Sequence, residues 1–333
     1  MKKILACLML FLAACTPADD QDVQNIRIGI TVYDEYDTFI RELTDSFRSY
    51  ATQDDLNVTI EINSADKSQL TQNSQVADMI EDGCDVICVN LVDRTAPSKI
   101  IEQARDSGIP VIFFNRELVS EDLLRWEKLY YVGADAYQSG KLQGEVAAAY
   151  LREHPEADRN QDGLIQYFVL EGEAGHQDAI LRSESSVDTL AEEGIPLEKC
   201  GYAIANWNRT QAQTQVAALL KDRKNVELIL ANNDDMALGA IDAYINAGMA
   251  KENRPVIVGI DGTKPGLEAI VNGDLDGSVF NDMKHQAEAM YDLAKALAVG
   301  DPLTGLNLED GKYIRLPYEK ITPENVQDYM DAE

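Results

Sequence analysis

The sequence predicts an α/β protein built from two doubly wound, parallel-sheet, Rossmann-like domains, and three observations carry that expectation. From Arg27 onward, short β-branched runs alternate with stretches of helical periodicity, the pattern of repeated βαβ units. The runs fall into two series that divide near Tyr131, giving two units of roughly 150 residues each, an ordinary domain size. Many of the runs end in Asn or Asp, and an open α/β sheet binds its ligand outside the carboxyl ends of its strands.

In order, RIGITVY, NVTIEI, DVICVN and PVIFFN read as strands of the first series, with TFIRELTDSFRSYA and SKIIEQARDSG as helices between them. In the second series LIQYFVL, residues 200–204, VELILANN, PVIVGID and DGSVFND read as strands. No low-complexity segment interrupts this coarse duplication.

Residues 1–14 stand apart. MKK followed by ILACLMLFLAA has the charged and apolar regions of a secretion signal peptide. Its apolar run is too short to span a bilayer, which takes about twenty residues. The run ends in LAAC, which resembles the lipobox of bacterial lipoproteins; Cys15 is then the lipidated first residue of the mature chain and residues 15–25 a polar tether. Removing Lys2 and Lys3 takes the formal charge from −29 to about −31. With no basic block longer than KDRK, nucleic acid is excluded as a partner. Cys84, Cys88 and Cys200 remain beyond the anchor. The first two, four residues apart beside an extended run, stand too far apart for a disulfide, and all three are expected as small buried apolar residues.

Asn90, Asn115, Asn233, Asp234, Asp261, Asn281 and Asp282 all follow strand-like runs. Any one of them could simply cap the next helix, but their recurrence in both halves predicts a crevice lined with amides and carboxylates. Neither GxGxxG after the first strand nor GxxxxGK[ST] occurs, so nucleotide cradles are absent. A neutral, hydroxyl-rich ligand fits instead: Asn donates and accepts, Asp accepts, and Arg donates as a planar fork. The apolar faces of a sugar stack on aromatic rings, for which Phe39 and Trp207 are candidates. Catalysis fits poorly. His176, Asp178 and Arg182, spaced HxDxxxR, have no accompanying nucleophile, GxSxG and HExxH are absent, and His154 and His285 have no evident partners. Asp37 and Asp261 read as hydroxyl acceptors rather than as a glycosidase pair. A sugar-responsive repressor would need a basic helix-turn-helix ahead of the first strand, where this chain carries a signal and an acidic tether.

DRNQDGLIQ, residues 158–166, opens like an EF-hand calcium loop, with oxygen side chains at its first, third and fifth positions and Gly163 at its sixth. The twelfth position, where an EF-hand has its bidentate Glu, is Val169 inside a strand-like run. The last carboxylate must come from elsewhere.

VYDEYDTF, CVNLVD, PVIFFN, YYVGAD, DRNQDGLIQ, EGEAGHQDAILR, ANWNRTQAQ, LILANND, VGIDGTKPGL and VFNDMKHQA occur in this order. Together they resemble the galactose/glucose-binding proteins of bacterial ABC transport systems over nearly the whole mature chain. The resemblance implies a periplasmic binding protein fold of type I. Residues 26–132 plus 283–313 would form an N-terminal lobe and 136–280 plus 317–333 a C-terminal lobe, with three hinges near 133–135, 281–282 and 314–316. It implies that Asp37, Asn115, His176, Asp178, Arg182, Asn233, Asp261 and Asn281 contact a pyranose, with Phe39 and Trp207 as the rings above and below it. It also implies one structural Ca²⁺, held by Asp158, Asn160, Asp162, the backbone oxygen of Leu164, Gln166 and Glu227, the last supplying the missing carboxylate.

The partners so implied are D-galactose or D-glucose, an ABC permease and a chemoreceptor, for an extracytoplasmic, lipid-anchored monomer that meets the membrane through its anchor alone. The alternative is a dedicated sensor that presents a related sugar to a membrane receptor or kinase. Asn208 after Trp207, where the family has Asp, and the middle of EYD before Phe39 depart from the family pattern and leave the preference between the two hexoses open. Trp126, in LLRWEKL, is expected as a half-exposed packing residue.

Overall fold

The computed structural model describes residues 25–331 except 55, 223 and 224; the signal, Cys15 and the tether through residue 24 lie outside the described residues, as do residues 332 and 333. Among the described residues no helix is long and apolar enough to cross a membrane.

The first series runs β1 (Asn25–Val32), α1 (Thr38–Gln53), β2 (Asn57–Ser64), α2 (Gln69–Glu81), β3 (Val86–Val89), α3 (Ser98–Ser107), β4 (Val111–Phe114), α4 (Ser120–Leu123) and β5 (Leu129–Ala134). The second runs α5 (Ala136–Glu153), β6 (Ile165–Glu171), α6 (Gln177–Glu192), β7 (Leu197–Ile204), α7 (Arg209–Lys221), β8 (Leu228–Ala231), α8 (Asp234–Asn246), β9 (Val256–Val258), α9 (Lys264–Val271) and β10 (Ser278–Asn281). The chain then returns through α10 (Met283–Val299) and β11 (Tyr313–Leu316) before β12 (Tyr318–Ile321) and α11 (Val326–Asp331).

The first sheet is parallel throughout, in the order β11-β5-β4-β3-β1-β2. Every residue of β3 and β4 is buried, as strands covered by helices on both faces require. On one face α1 contributes Ile40, Leu43 and Phe47 and α10 contributes Met290, Tyr291 and Ala294, with Phe47 and Tyr291 meeting edge to face at 5.5 Å. The apolar spacing along α1 is i, i+3, i+7, one stripe of a helix. On the other face α2 and α3 contribute Val76, Met79, Ile100 and Ala104.

The second sheet is β7-β6-β8-β9, also parallel. Parallel bridges at Val258↔Gly277 and Asp261↔Phe280 continue it to β10, and β10 pairs antiparallel with β12. That last pairing departs from the all-parallel expectation, because the final strand arrives directly from the other sheet with no crossover helix to turn it round. β5, β11 and β12 lie outside the strand runs read from the sequence. The latter two are four residues each, carry Arg315, Glu319 and Lys320, and are split by Pro317, too short and too charged to show an alternating pattern.

The chain passes between the two sheets three times: between β5 and α5, between β10 and α10, and at Pro317. Around these crossings Ile260, Val279 and Tyr318 form a small apolar cluster with Ala134 and Leu142 against it.

Candidate functional site

Loops from the carboxyl ends of both sheets meet over one cleft. Tyr33, Asp37, Phe39, Asn115, Arg116, His176, Asp178, Arg182, Trp207, Asn233 and Asp261 line a slot of about 350 Å³, counting the space open to solvent. Three contacts between side chains cross its mouth: Arg116 to Glu173 at 3.0 Å, Thr38 Oγ1 to Asp235 Oδ2 at 2.8 Å, and Arg94 Nη1 to Gln177 Oε1 at 3.2 Å.

Capping and cleft lining turn out to be two uses of the same side chain. Asp37 Oδ1 accepts from the Ile40 N–H at the start of α1 while Oδ2 accepts from the Tyr33 hydroxyl at 2.6 Å. Asn233 caps α8 through Oδ1, which leaves its NH₂ for the cleft. His176 caps α6 by accepting from the Asp178 N–H at Nδ1, 3.2 Å away. Asn115 has φ 59°, a left-handed conformation that Asn tolerates; its Oδ1 accepts from Asn90, again leaving the NH₂ as donor.

Trp207, also left-handed at φ 59°, lies against Gly172. A Cβ at that glycine would stand 2.1 Å from the indole Cζ2, so the residue must be Gly for the ring to sit where it does.

Of the ten residues expected to contact a ligand, nine line the slot. Asn281 is behind it: its Nδ2 reaches Asp261 Oδ1 at 3.4 Å and its Oδ1 accepts from Gln286 at 2.5 Å, so it supports Asp261 from below. Three other strand-end residues are structural. Asn90 accepts from the Tyr33 N–H and donates to Phe114 O, Asp234 accepts from Thr263 and Ser278, and Asp282 caps α10. The two histidines read as lacking partners have them: His154 meets Glu156 and stacks on Tyr150, and His285 meets Asp282. Cys84 and Cys88 are buried as expected, but Cys200 is only half-buried and its thiol donates to Asn225 O. Tyr33 and Arg116 were not anticipated from the sequence; Tyr33 follows β1 directly with no Asn or Asp to mark it, and Arg116 stands one place beyond the marked Asn115.

Electrostatically the slot sets Asp37, Asp178 and Asp261 against Arg116 and Arg182. Burial, with Arg116, Arg182 and Arg94 nearby, pulls the His176 pKa down to about 3. The imidazole is therefore neutral, and with Nδ1 accepting it carries its proton on Nε2 as a donor. Burial pushes the Asp178 and Asp261 pKa values up, Asp261 well above the usual range, while Arg182 opposes both shifts. Arg182 lies 3.7 Å from Asp261 and donates to Asn232 O at 2.7 Å and to Tyr318 at 3.0 Å. Its Nε, like the Trp207 Nε1, is buried with no hydrogen-bond partner.

A second constellation gathers the residues of the acidic loop. Glu227, fully buried just before β8, accepts from the N–H groups of Arg159, Asn160 and Gln166 and from the Asn225 amide. Asp158 accepts from Gly163 N, and Asn160 and Gln166 both donate to Asp162 Oδ2. Among the described residues no three His, Cys, Asp or Glu side chains form a compact metal cluster; here amides interleave with the carboxylates. The set nonetheless fits a hard cation. Its side-chain ligands offer oxygen alone, and the buried Glu227 carboxylate has neutral N–H groups as hydrogen-bond partners, leaving its charge uncompensated.

Comparison with known proteins gives the setting. A family model described as a periplasmic binding protein domain matches residues 28–302. The chain belongs to the periplasmic binding protein family. A D-galactose/methyl-galactoside binding periplasmic protein of Haemophilus influenzae is 33% identical over 308 residues, covering 91% of this chain and 92% of its own. A solved ABC transporter solute binding protein from Bacillus halodurans, with bound myo-inositol, is 29% identical with a TM-score of 0.79, covering 94% of this chain and all of its own. A structure from Actinobacillus succinogenes with bound D-allose shares the fold at 20% identity and a TM-score of 0.79, covering 91% of this chain. This is a family of extracytoplasmic solute-binding transport proteins, not of enzymes.

Proposed function

We propose that this sugar-binding protein of ABC transport closes its cleft on one hexopyranose, D-galactose or D-glucose, as a lipoprotein anchored through Cys15, and hands the sugar to an ABC permease. The observation that carries this reading is the pair of buried, unpartnered donors, Arg182 Nε and Trp207 Nε1, in a slot whose other lining is Asn, Asp and His together with Tyr33, Phe39 and Arg116. Leaving a buried donor unmade costs about 1–3 kcal/mol, and a ring crowded with hydroxyls supplies acceptors for both. Phe39 and Trp207 both line the slot and offer rings for the apolar faces of one sugar. In support, one relative is named as a D-galactose/methyl-galactoside binding protein and one solved structure holds myo-inositol. Because its ligand would touch both lobes, it would favour the closed arrangement over an open one.

The acidic loop is read here as a structural Ca²⁺ site formed by Asp158, Asn160, Asp162, the Leu164 backbone oxygen, Gln166 and Glu227. The ion would neutralise the buried carboxylate and tie the loop to the start of β8, which strengthens the second lobe without touching the sugar.

Fluorescence tests the sugar reading, because Trp126 and Trp207 are the two tryptophans. Trp126 is half-buried against the α2/α3 side of the first sheet, whereas Trp207 walls the slot. Galactose is expected to change the emission of the parent and of Trp126→Phe. Trp207→Ala should lose that response and bind about 1–3 kcal/mol more weakly, the worth of a lost ring contact and its burial. A folded Trp207→Ala that binds as tightly as the parent removes the ring from the site.

A further inference from the structure

Arg116 was not among the residues that motif or spacing singled out, yet its side chain joins both lobes across the cleft. It follows left-handed Asn115 in a tight turn, its N–H donating to Phe114 O at 2.7 Å, and this turn swings its side chain inward from the end of β4. The guanidinium is 4% exposed. It meets Glu173 across the cleft at 3.0 Å, donates to Val92 O at 3.1 Å, and lies 3.5 Å over the Tyr33 ring. The Tyr33 hydroxyl in turn donates to Asp37 at 2.6 Å. A continuous path therefore runs from the second lobe, through Glu173, Arg116 and Tyr33, to a carboxylate lining the slot on the first.

We propose that Arg116 is a positioning residue that couples lobe closure to the binding geometry: its ion pair with Glu173 latches the closed cleft, and its stack on Tyr33 holds the Asp37 carboxylate toward the bound sugar. The proposal rests on the reading of the cleft as a sugar site. In an open arrangement Glu173 moves away with its lobe and the ion pair is broken, so the pair forms only when the sugar is enclosed. An interaction present in the closed complex and absent during encounter acts on the dissociation rate rather than on association. A lysine could keep the charge near Glu173 but has no planar face to stack on Tyr33, so the two halves of the proposal separate chemically.

The test is a double-mutant cycle read by calorimetry and stopped-flow fluorescence with galactose. Glu173→Gln is expected to weaken binding about tenfold and Arg116→Ala about thirtyfold, both through faster release. The double variant should fall within about threefold of Arg116→Ala, since the pair is already gone in the single variant. Arg116→Lys should recover the coupling to Glu173 but not the full affinity. Thermal melts confirm that each variant is folded. If the two single effects multiply to about three-hundredfold in the double variant, or if they fall on the association rate, there is no latch. If the parent itself shows no saturable binding of any hexose, the sugar reading fails instead; the latch is then judged by the same cycle on the solute that the parent does bind.

Discussion

Arg182→Ala is expected to remove galactose binding almost entirely, weakening it by about 3–5 kcal/mol, or on the order of a hundredfold to several thousandfold. The guanidinium is buried between Asp178 and Asp261, is held by Asn232 O and Tyr318, and keeps one N–H unpartnered. Deleting it strands the buried Asp261 carboxylate and the half-buried Asp178. Both already have pKa values raised by burial, and Arg182 is the largest influence holding them down. Without it both rise further, and a protonated carboxyl accepts less well from a sugar hydroxyl.

The sign for stability follows. An acid whose folded pKa lies above its unfolded value of about 3.9 binds more protons when folded, so stability falls as pH rises past that value. Arg182→Ala should therefore lose stability relative to the parent from about pH 4 upward, and regain part of it on acidification. Calorimetry at neutral pH and melting curves from pH 4 to 8 check both statements. A folded variant that binds galactose within about threefold of the parent contradicts the role.

Chelation should give the second large effect. If Ca²⁺ occupies the acidic loop, free calcium at about 1,000 times its Kd stabilises the protein by roughly 4 kcal/mol, and EDTA should lower the melting temperature of calcium-loaded protein by several degrees. Glu227→Gln should abolish that calcium-dependent increment. It should also lower stability in EDTA, because a side-chain NH₂ would then face the N–H groups of Arg159, Asn160 and Gln166, which now point at the carboxylate. Sugar affinity measured well below the melting range should change much less. Protein shown by metal analysis to be calcium-loaded, with a melting temperature indifferent to EDTA, would rule out a structural ion.

The sequence carried the fold through one feature, apolar runs short enough for strands and spaced by helical periods, and it failed where that feature fails. β11 and β12 are four residues long, and their partners are distant in the chain; no local pattern announces such pairings. The strand-end Asn and Asp residues did mark the cleft, but the mark cannot tell a residue facing a ligand from one facing backbone. Asn115 and Asn90 look alike in sequence, and the difference is that Asn90 spends its amide on Tyr33 and Phe114. Asn281 is outside the slot lining, with its Oδ1 accepting from Gln286 on the next helix and its Nδ2 near Asp261, partners that no local pattern announces. Arg116 was hidden for a different reason. Its orientation comes from the positive φ of the residue before it, a backbone property with no periodic signature. The acidic loop was legible from its own residues as far as Gln166; Glu227 came only through the family resemblance, since the pairing of β6 with β8 is what brings it beside the loop.

The central claim, that one hexopyranose fills the closed slot, is tested most directly by isothermal calorimetry of the mature protein against D-galactose, D-glucose, myo-inositol, D-ribose and maltose. The account predicts one-to-one binding of galactose and glucose. Ribose and inositol should be weaker, about five- to a hundredfold for each slot group left unpaired, and maltose weaker still if the cleft closes over a single ring. Ribose, inositol or maltose binding more tightly than both hexoses would contradict it.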